Sequence, residues 1–234
     1  MQSSQANTDV ILNDCKIPSE LLAPLVSHLL TFARRYQPLF ARSEQREHCL
    51  VVLEGLLGNA RRKTLEPIAT ERDLPRRPIQ RFVGSGKWDD EAVMTELRQH
   101  VVEELGEPDG VITLDSSGFQ KKGAESCGVK RQWCGRLGKT ENCQVGMYLG
   151  YATSKGHTLI DHELVVPKEW CEDAGKRVKC DVPAKLAFRA SWEVATDMLA
   201  RHGSELPHKW VVADAEFGKS GDFLKRMAKQ GEHY

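Results

Sequence analysis

Two short apolar runs, each closed by an aspartate, constrain this chain more than any other feature. The first lies in GVITLDSSGFQKKG, Gly110 to Gly123, where Val111, Ile112 and Leu114 are interrupted only by Thr113 and stop at Asp115. The second lies in KWVVADAEF, Lys209 to Phe217, where Trp210, Val211, Val212 and Ala213 stop at Asp214. Runs this short and continuous suit strands buried on both faces better than amphipathic helices. The carboxyl ends of such strands are where α/β sheets usually carry chemistry. Adjacent strands ending on Asp115 and Asp214 would bring two carboxylates together. That donor set suits hard Mg²⁺, which takes one or two carboxylates together with phosphate oxygens.

The rest of the composition narrows the setting. A chain of 234 residues, 40% of them hydrophobic, can build one sizeable domain with a helical extension. No apolar run approaches the ~20 residues needed to span a bilayer. The opening MQSSQANTDVILND has neither the basic start nor the apolar core of a signal peptide, so a cytoplasmic protein without a membrane partner is expected. Seven cysteines without a C-x-x-C pair read as reduced, inert thiols rather than a disulfide framework or zinc ribbon. A formal net charge of zero excludes a wholly basic nucleic-acid binder. The basic charge is local: Lys121, Lys122, Lys130, Arg131, Arg136 and Lys139 fall in one segment opposed by Glu125 alone.

Up to Gly106 the chain reads as helical. Ser19 caps a helix through about Arg35, Pro38 interrupts, and a second helix runs from Ser43 to Leu57 with Gly58 at its end. Thr64 to Glu71 and Pro78 to Val83 form two short helices around a turn ringed by Arg72, Arg76, Arg77 and Arg81. This pair is either a helix-turn-helix-like unit offering cations to phosphates or two helices with a solvated basic face. Asp89 caps a helix carrying Val93, Leu97, Val101 and Leu105, which Gly106 stops. Beyond Asp115 the pattern turns to strands. Cys143–Tyr151 and Thr158–Val166 form an antiparallel pair across a turn at Thr153–Gly156. Asp181 and Pro183 open a helix with Ala187, Ala190, Val194 and Met198 along one stripe, and Ser220 caps another bearing Phe223, Leu224, Met227 and Ala228. Tyr234 would begin a further strand.

Several polar residues read as ordinary surface on spacing alone. Glu216, two residues past Asp214, and Asp222 fit a loop and a helix start, although Glu216 could serve as a substitute ligand. His162 and Glu163 sit on opposite faces of a strand as decoration. Ser116 and Ser117 lack the G-x-S-x-G context of an activated nucleophile. The glycine-rich Lys121–Lys139 segment is by itself a solvated, flexible loop, or a loop that grips a nucleic-acid strand and stacks Trp133 on a base.

Five segments together resemble the insertion-sequence transposases of the DDE superfamily, in the IS701-like branch with a long helical N-terminal region. They are RRYQPLFARSEQREHCLVVLEGLL, PIQRFVGSGKWDDEAV, LDSSGFQKKGAESCGVKRQWCGRLGKTENCQVGMYL, LIDHELVVPKEW and KWVVADAEFG. The resemblance covers most of Leu30 to Tyr234. It implies an α+β or α/β chain: a flexible polar stretch over 1–18, a helical DNA-binding region over 19–106, and an RNase H-like mixed sheet with flanking helices over 107–234. The implied core lacks its last strand and the helix that bears the family's glutamate. Asp115 and Asp214 fall on the family's two aspartates, as catalytic residues and ligands of Mg²⁺ or Mn²⁺; Ser116 replaces a residue often acidic in relatives. The implied partners are element ends and target DNA, bound by a homodimer, with Lys121, Lys122, Lys130, Arg131, Trp133, Lys139, Arg76, Arg77 and Arg81 as DNA contacts. The implied activity is hydrolysis and strand transfer at insertion-sequence ends. The alternatives are a catalytically dead DNA-binding remnant that inhibits a full-length transposase, and an RNase H-like nuclease.

Overall fold

Helices make up the first half of the described residues. In a computed structural model, which describes residues 19–180, 182–184 and 186–234, they are α1 (Ser19–Tyr36), α2 (Ser43–Leu57), α3 (Leu65–Glu71), α4 (Arg76–Ser85) and α5 (Asp90–Leu105). The polar stretch before Ser19 and the expected helix opener Asp181 lie outside the described residues. Pro38 sits in a 3₁₀ turn, Gln37–Leu39, that ends α1, because proline cannot donate to the helical ladder. The Asp89 carboxylate accepts the Ala92 N–H at 3.0 Å and so caps α5.

The chain divides into two compact units, at Val93/Met94. In the first, α2 and α3 touch through Gly55: a Cβ there would lie 2.3 Å from Ile68 Cγ2, so only glycine permits the approach. Ile68, Ala69, Ile79 and Phe82 are buried behind it. The Trp88 indole donates to the Phe82 carbonyl at 2.9 Å and stacks on its ring, which anchors the end of α4.

The second unit holds β1 (Val111–Gln120), β2 (Lys130–Cys134), β3 (Lys139–Thr153), β4 (Gly156–Val165), α6 (Lys168–Glu172), α7 (Ala174–Lys179), α8 (Ser191–His202), β5 (Trp210–Ala213), α9 (Ala215–Gly218) and α10 (Gly221–Gln230). β3 pairs antiparallel with β1, β2 and β4, while β1 pairs parallel with β5. This mixed sheet with flanking helices is the α+β, RNase H-like arrangement expected. Its main core is one-sided, while a smaller cluster of Val129, Val166, Trp170 and Val182 packs against Leu164. Ile112, Leu114, Met147, Leu149, Ile160 and Val211 cluster with Val194, Met198 and Leu199 of α8 and with Phe223 and Met227 of α10.

Four expectations need correction. The apolar runs are not buried on both faces: Trp210 is 45% and Val212 53% exposed, since the core helices all pack on the side of Val211. Nor does β1 end at Asp115; Asp115↔Tyr148 through Gln120↔Cys143 continue the ladder, so pairing to β3 overrides the turn preference of Ser-Ser-Gly. The basic segment is not all flexible loop, because β2 lies within it and forms a hairpin with the start of β3. Finally, α8 begins only at Ser191, where the Glu193 carboxylate accepts the Ala190 N–H at 2.7 Å. The stretch before it is held as a loop by the Arg177 guanidinium, which donates to the carbonyls of Cys171, Pro183, Ala184 and Leu186.

Candidate active site

The position of the two aspartates follows from a register fixed at the opposite end of their strands. Gly110 O accepts the Lys209 N–H at 2.8 Å, which starts the parallel ladder Val111↔Trp210 to Leu114↔Ala213. That corner tolerates no side chain at 110: a Cβ there would lie 2.6 Å from the Tyr151 hydroxyl and 2.8 Å from Pro207 O. The Tyr151 hydroxyl in turn donates to Pro207 O at 2.6 Å. The ladder ends at Leu114↔Ala213, and Asp115 and Asp214 are the residues that follow this last pair.

The two carboxylates differ in backbone setting. Asp115 lies within β1, at the point where pairing with β5 stops and pairing with β3 continues. Asp214 is the N-cap of α9. Each uses one oxygen locally: Asp115 Oδ1 accepts Ser116 N–H at 2.7 Å and Asp214 Oδ1 accepts Glu216 N–H at 2.6 Å. Both residues are exposed. The second oxygen, Oδ2, of each has no hydrogen bond among the described residues, which leaves it able to ligate a hard divalent cation. No group of three or more His, Cys, Asp and Glu side chains forms a metal site among the described residues. Glu216 is salt-bridged to Lys219, whose ammonium that hydrogen bond holds above its ordinary pKa. Asp222 pairs with Lys225 at 3.2 Å.

A family model described as "DDE superfamily endonuclease" matches residues 35–234. The chain belongs to that family. It is also 27% identical over 202 residues to a probable transposase for insertion sequence element IS701 from Microchaete diplosiphon, covering 85% of this chain. The match spans about half the length of that relative. No solved structure gives a significant match.

In this DDE endonuclease chain the basic side chains singled out by sequence fall into two groups. Arg76, Arg77 and Arg81 are exposed along the start of α4, with Arg76 salt-bridged to Glu66. In the second unit Arg131 and Trp133 project from β2, and Trp133 is 64% exposed. Lys130 is salt-bridged to Glu169, and Lys139 pairs with Glu141 at 3.2 Å. Lys121 closes β1 through its N–H to Asn142 O at 2.9 Å, and Lys122 is exposed just beyond. Sequence reasoning missed Tyr148. It lies directly opposite Asp115 on β3, and its near-parallel neighbour is His162 of β4, with ring centroids 6.4 Å apart. The alternation of β3 and its pairing with β1 were the signals that could have found it.

Proposed function

We propose that this chain is a DNA endonuclease of insertion-sequence transposition, in which Asp115 and Asp214 hold a divalent cation, Mg²⁺ or Mn²⁺, against the scissile phosphate. The observation that carries this reading is the parallel register between β1 and β5, whose last pair, Leu114↔Ala213, immediately precedes Asp115 and Asp214. A bound cation of this kind activates water and offsets the charge that builds on phosphate oxygens. The protein's part is to aim Asp115 and Asp214. Their Oδ1 atoms are tied to backbone N–H groups, so Oδ2 is presented in a fixed direction without first breaking a side-chain contact. The cationic residues of β2 and of α4 would hold the DNA backbone, with Trp133 available to stack on a base. Because an insertion element has two ends, the reading extends to a homodimer on paired ends, with strand transfer to target DNA.

A plasmid-nicking assay in Mg²⁺ or Mn²⁺ tests the reading. Nicking should fall by about a thousandfold in Asp115→Asn and in Asp214→Asn, the scale of losing several kcal/mol of charge stabilisation. Nicking that survives both substitutions would sink it. A second reading, DNA occupancy without cleavage, is favoured by the engagement of Glu216 and Asp222 with Lys219 and Lys225. It predicts DNA binding with no metal-dependent nicking even in the unsubstituted chain. Salt dependence locates the binding surface under either reading. Each phosphate contact contributes a slope of about −0.9 in log affinity against log salt. Arg131→Ala should therefore flatten the slope by about one, while Lys130→Ala, whose ammonium is already paired with Glu169, should change it less.

A further inference from the structure

The sheet face that carries Asp115 also carries a row of rings. Cross-strand pairing puts Asp115 opposite Tyr148 and Tyr148 opposite His162, so the three side chains share one face of β1, β3 and β4. Phe119, four residues beyond Asp115 on β1, lies on that face as well, its ring centroid 6.3 Å from that of Tyr148. The Tyr148 and His162 planes are inclined by only 19°. What seats Tyr148 is glycine. A Cβ at Gly146, two residues before it on the same face, would lie 2.8 Å from Oη, 2.9 Å from Cε2 and 3.0 Å from Cζ of the tyrosine. The ring therefore leans along the strand across Gly146 and turns its other side outward. Gly150, two residues after it, gives its place on the face to the Thr113 side chain, whose Oγ1 would lie 2.4 Å from a Cβ there. The row is accessible: Phe119 is 40% exposed, His162 is exposed and Tyr148 half-buried. A cation stands at one end, the Arg136 guanidinium 5.9 Å from the Phe119 centroid. A carboxylate stands beside its middle.

The geometry points to a stacking platform for an unpaired DNA base, formed by the near-parallel rings of Tyr148 and His162 and flanked by Phe119, whose ring is tilted 60° to Tyr148, that grips the strand end next to the phosphate at Asp115. Flat rings stack on any base, whatever its sequence. Arg136 supplies the positive charge that the adjoining backbone phosphate needs, which an uncharged apolar partner would not use. The platform would hold the cut or flipped end in place while Asp115 and Asp214 act. It rests on the nucleic-acid reading above but adds a second stacking surface, beside Asp115 and separate from Trp133, which that reading does not require.

The test compares the full chain on two probes of equal duplex length, one blunt and one carrying a three-nucleotide thymine 3′ overhang, with 2-aminopurine placed in the overhang for a fluorescence readout. The chain should prefer the overhang by about five- to hundredfold, the range of one stacked base, and should quench the 2-aminopurine. Tyr148→Ala should abolish the preference and the quenching without changing blunt-duplex affinity, while Tyr148→Phe keeps both. His162→Ala, at an exposed position, should reduce the preference severalfold with an unchanged melting temperature. Gly146→Ala should reduce it too, by lifting the Tyr148 ring off its seat. Equal affinity for the two probes, or a Tyr148→Ala loss shared equally by both, overturns the platform and leaves the endonuclease reading standing. Failure to bind either probe at low salt overturns both.

Discussion

The two faces of the central sheet are built from the same strands yet carry opposite chemistry. Inward, Ile112, Leu114, Met147, Leu149, Ile160 and Val211 are at most 2% exposed and meet the helices. Outward, the alternate residues include Asp115, Tyr148 and His162, with Val212 at 53% and Leu159 at 56% exposure. One face supplies the stability that holds the other in register. Because side chains alternate strictly along a strand, a slip of one residue would send Asp115 inward and Leu114 outward, which the apolar cluster forbids. The acidic pair can therefore stay exposed without local packing of its own: its position is enforced from behind.

The strongest way to break that relation is from the inner face. Leu114→Ala removes a side chain 1% exposed at the centre of the cluster and should cost about 3–5 kcal/mol, transfer and cavity terms together. A urea midpoint that falls without a change in slope would confirm it. A cost below ~1 kcal/mol would mean that the inner face is not the packed one.

A smaller effect tests a charge held against the inner face. Arg98 of α5 is 2% exposed and donates from Nε to Glu205 Oε2 at 2.8 Å. Burial tends to raise the Glu205 carboxyl, but the hydrogen bonds from His202 and Arg98 outweigh it and hold the group below its usual range. A depressed carboxylate contributes stability above its unfolded pKa and loses it as pH falls through the folded one. The protein should therefore lose this contribution in the acid range below the ordinary glutamate value, and Glu205→Gln should flatten that part of the stability–pH curve. At neutral pH the substitution should cost about 2–3 kcal/mol, less than a fully buried pair because Glu205 is 42% exposed. A stability–pH curve unchanged by Glu205→Gln would show that the pairing carries no pH linkage.

Much of this was legible in the sequence where the signals are local. The helix Ser43–Leu57 came from its flanking residues and spacing, and Asp89 and Ser220 cap helices as their positions suggested. What escaped depended on partners distant in the chain. Ser116, Ser117 and Gly118 look like a turn, but their ladder partners Met147, Gly146 and Val145 lie some thirty residues away and hold them extended. The strand Lys130–Cys134 was hidden among charges, although two short runs either side of Gly135–Gly138 are a hairpin signal. The loop before Ser191 carries an apolar stripe that fits a helix, and only the grip of Arg177 on its carbonyls decides otherwise. For the site, the paired aspartates were readable as strand-associated carboxylates. His162 was not readable as part of a ring row, because that role depends on which residue of β3 stands opposite.

The finest comparison uses adjacent valines of one strand. Val211 is 2% exposed within the cluster, whereas Val212 points the other way at 53%. Threonine matches valine in shape and in its preference for strands, so replacing either leaves volume and propensity nearly unchanged and adds one hydroxyl. At 211 that hydroxyl enters an apolar environment with no partner provided, and the cost should be about 1–3 kcal/mol. At 212 the hydroxyl is met by water, and the change should stay within about 0.5 kcal/mol. Measuring Val211→Thr and Val212→Thr side by side removes most denatured-state effects, since the two unfolded chains differ only in the order of neighbouring residues. A clear gap between them supports a sheet covered by helices on one face and open on the face of Asp115. Equal and large costs would show that something covers Val212 in solution, and the aspartate face would then have to be opened before DNA could reach it.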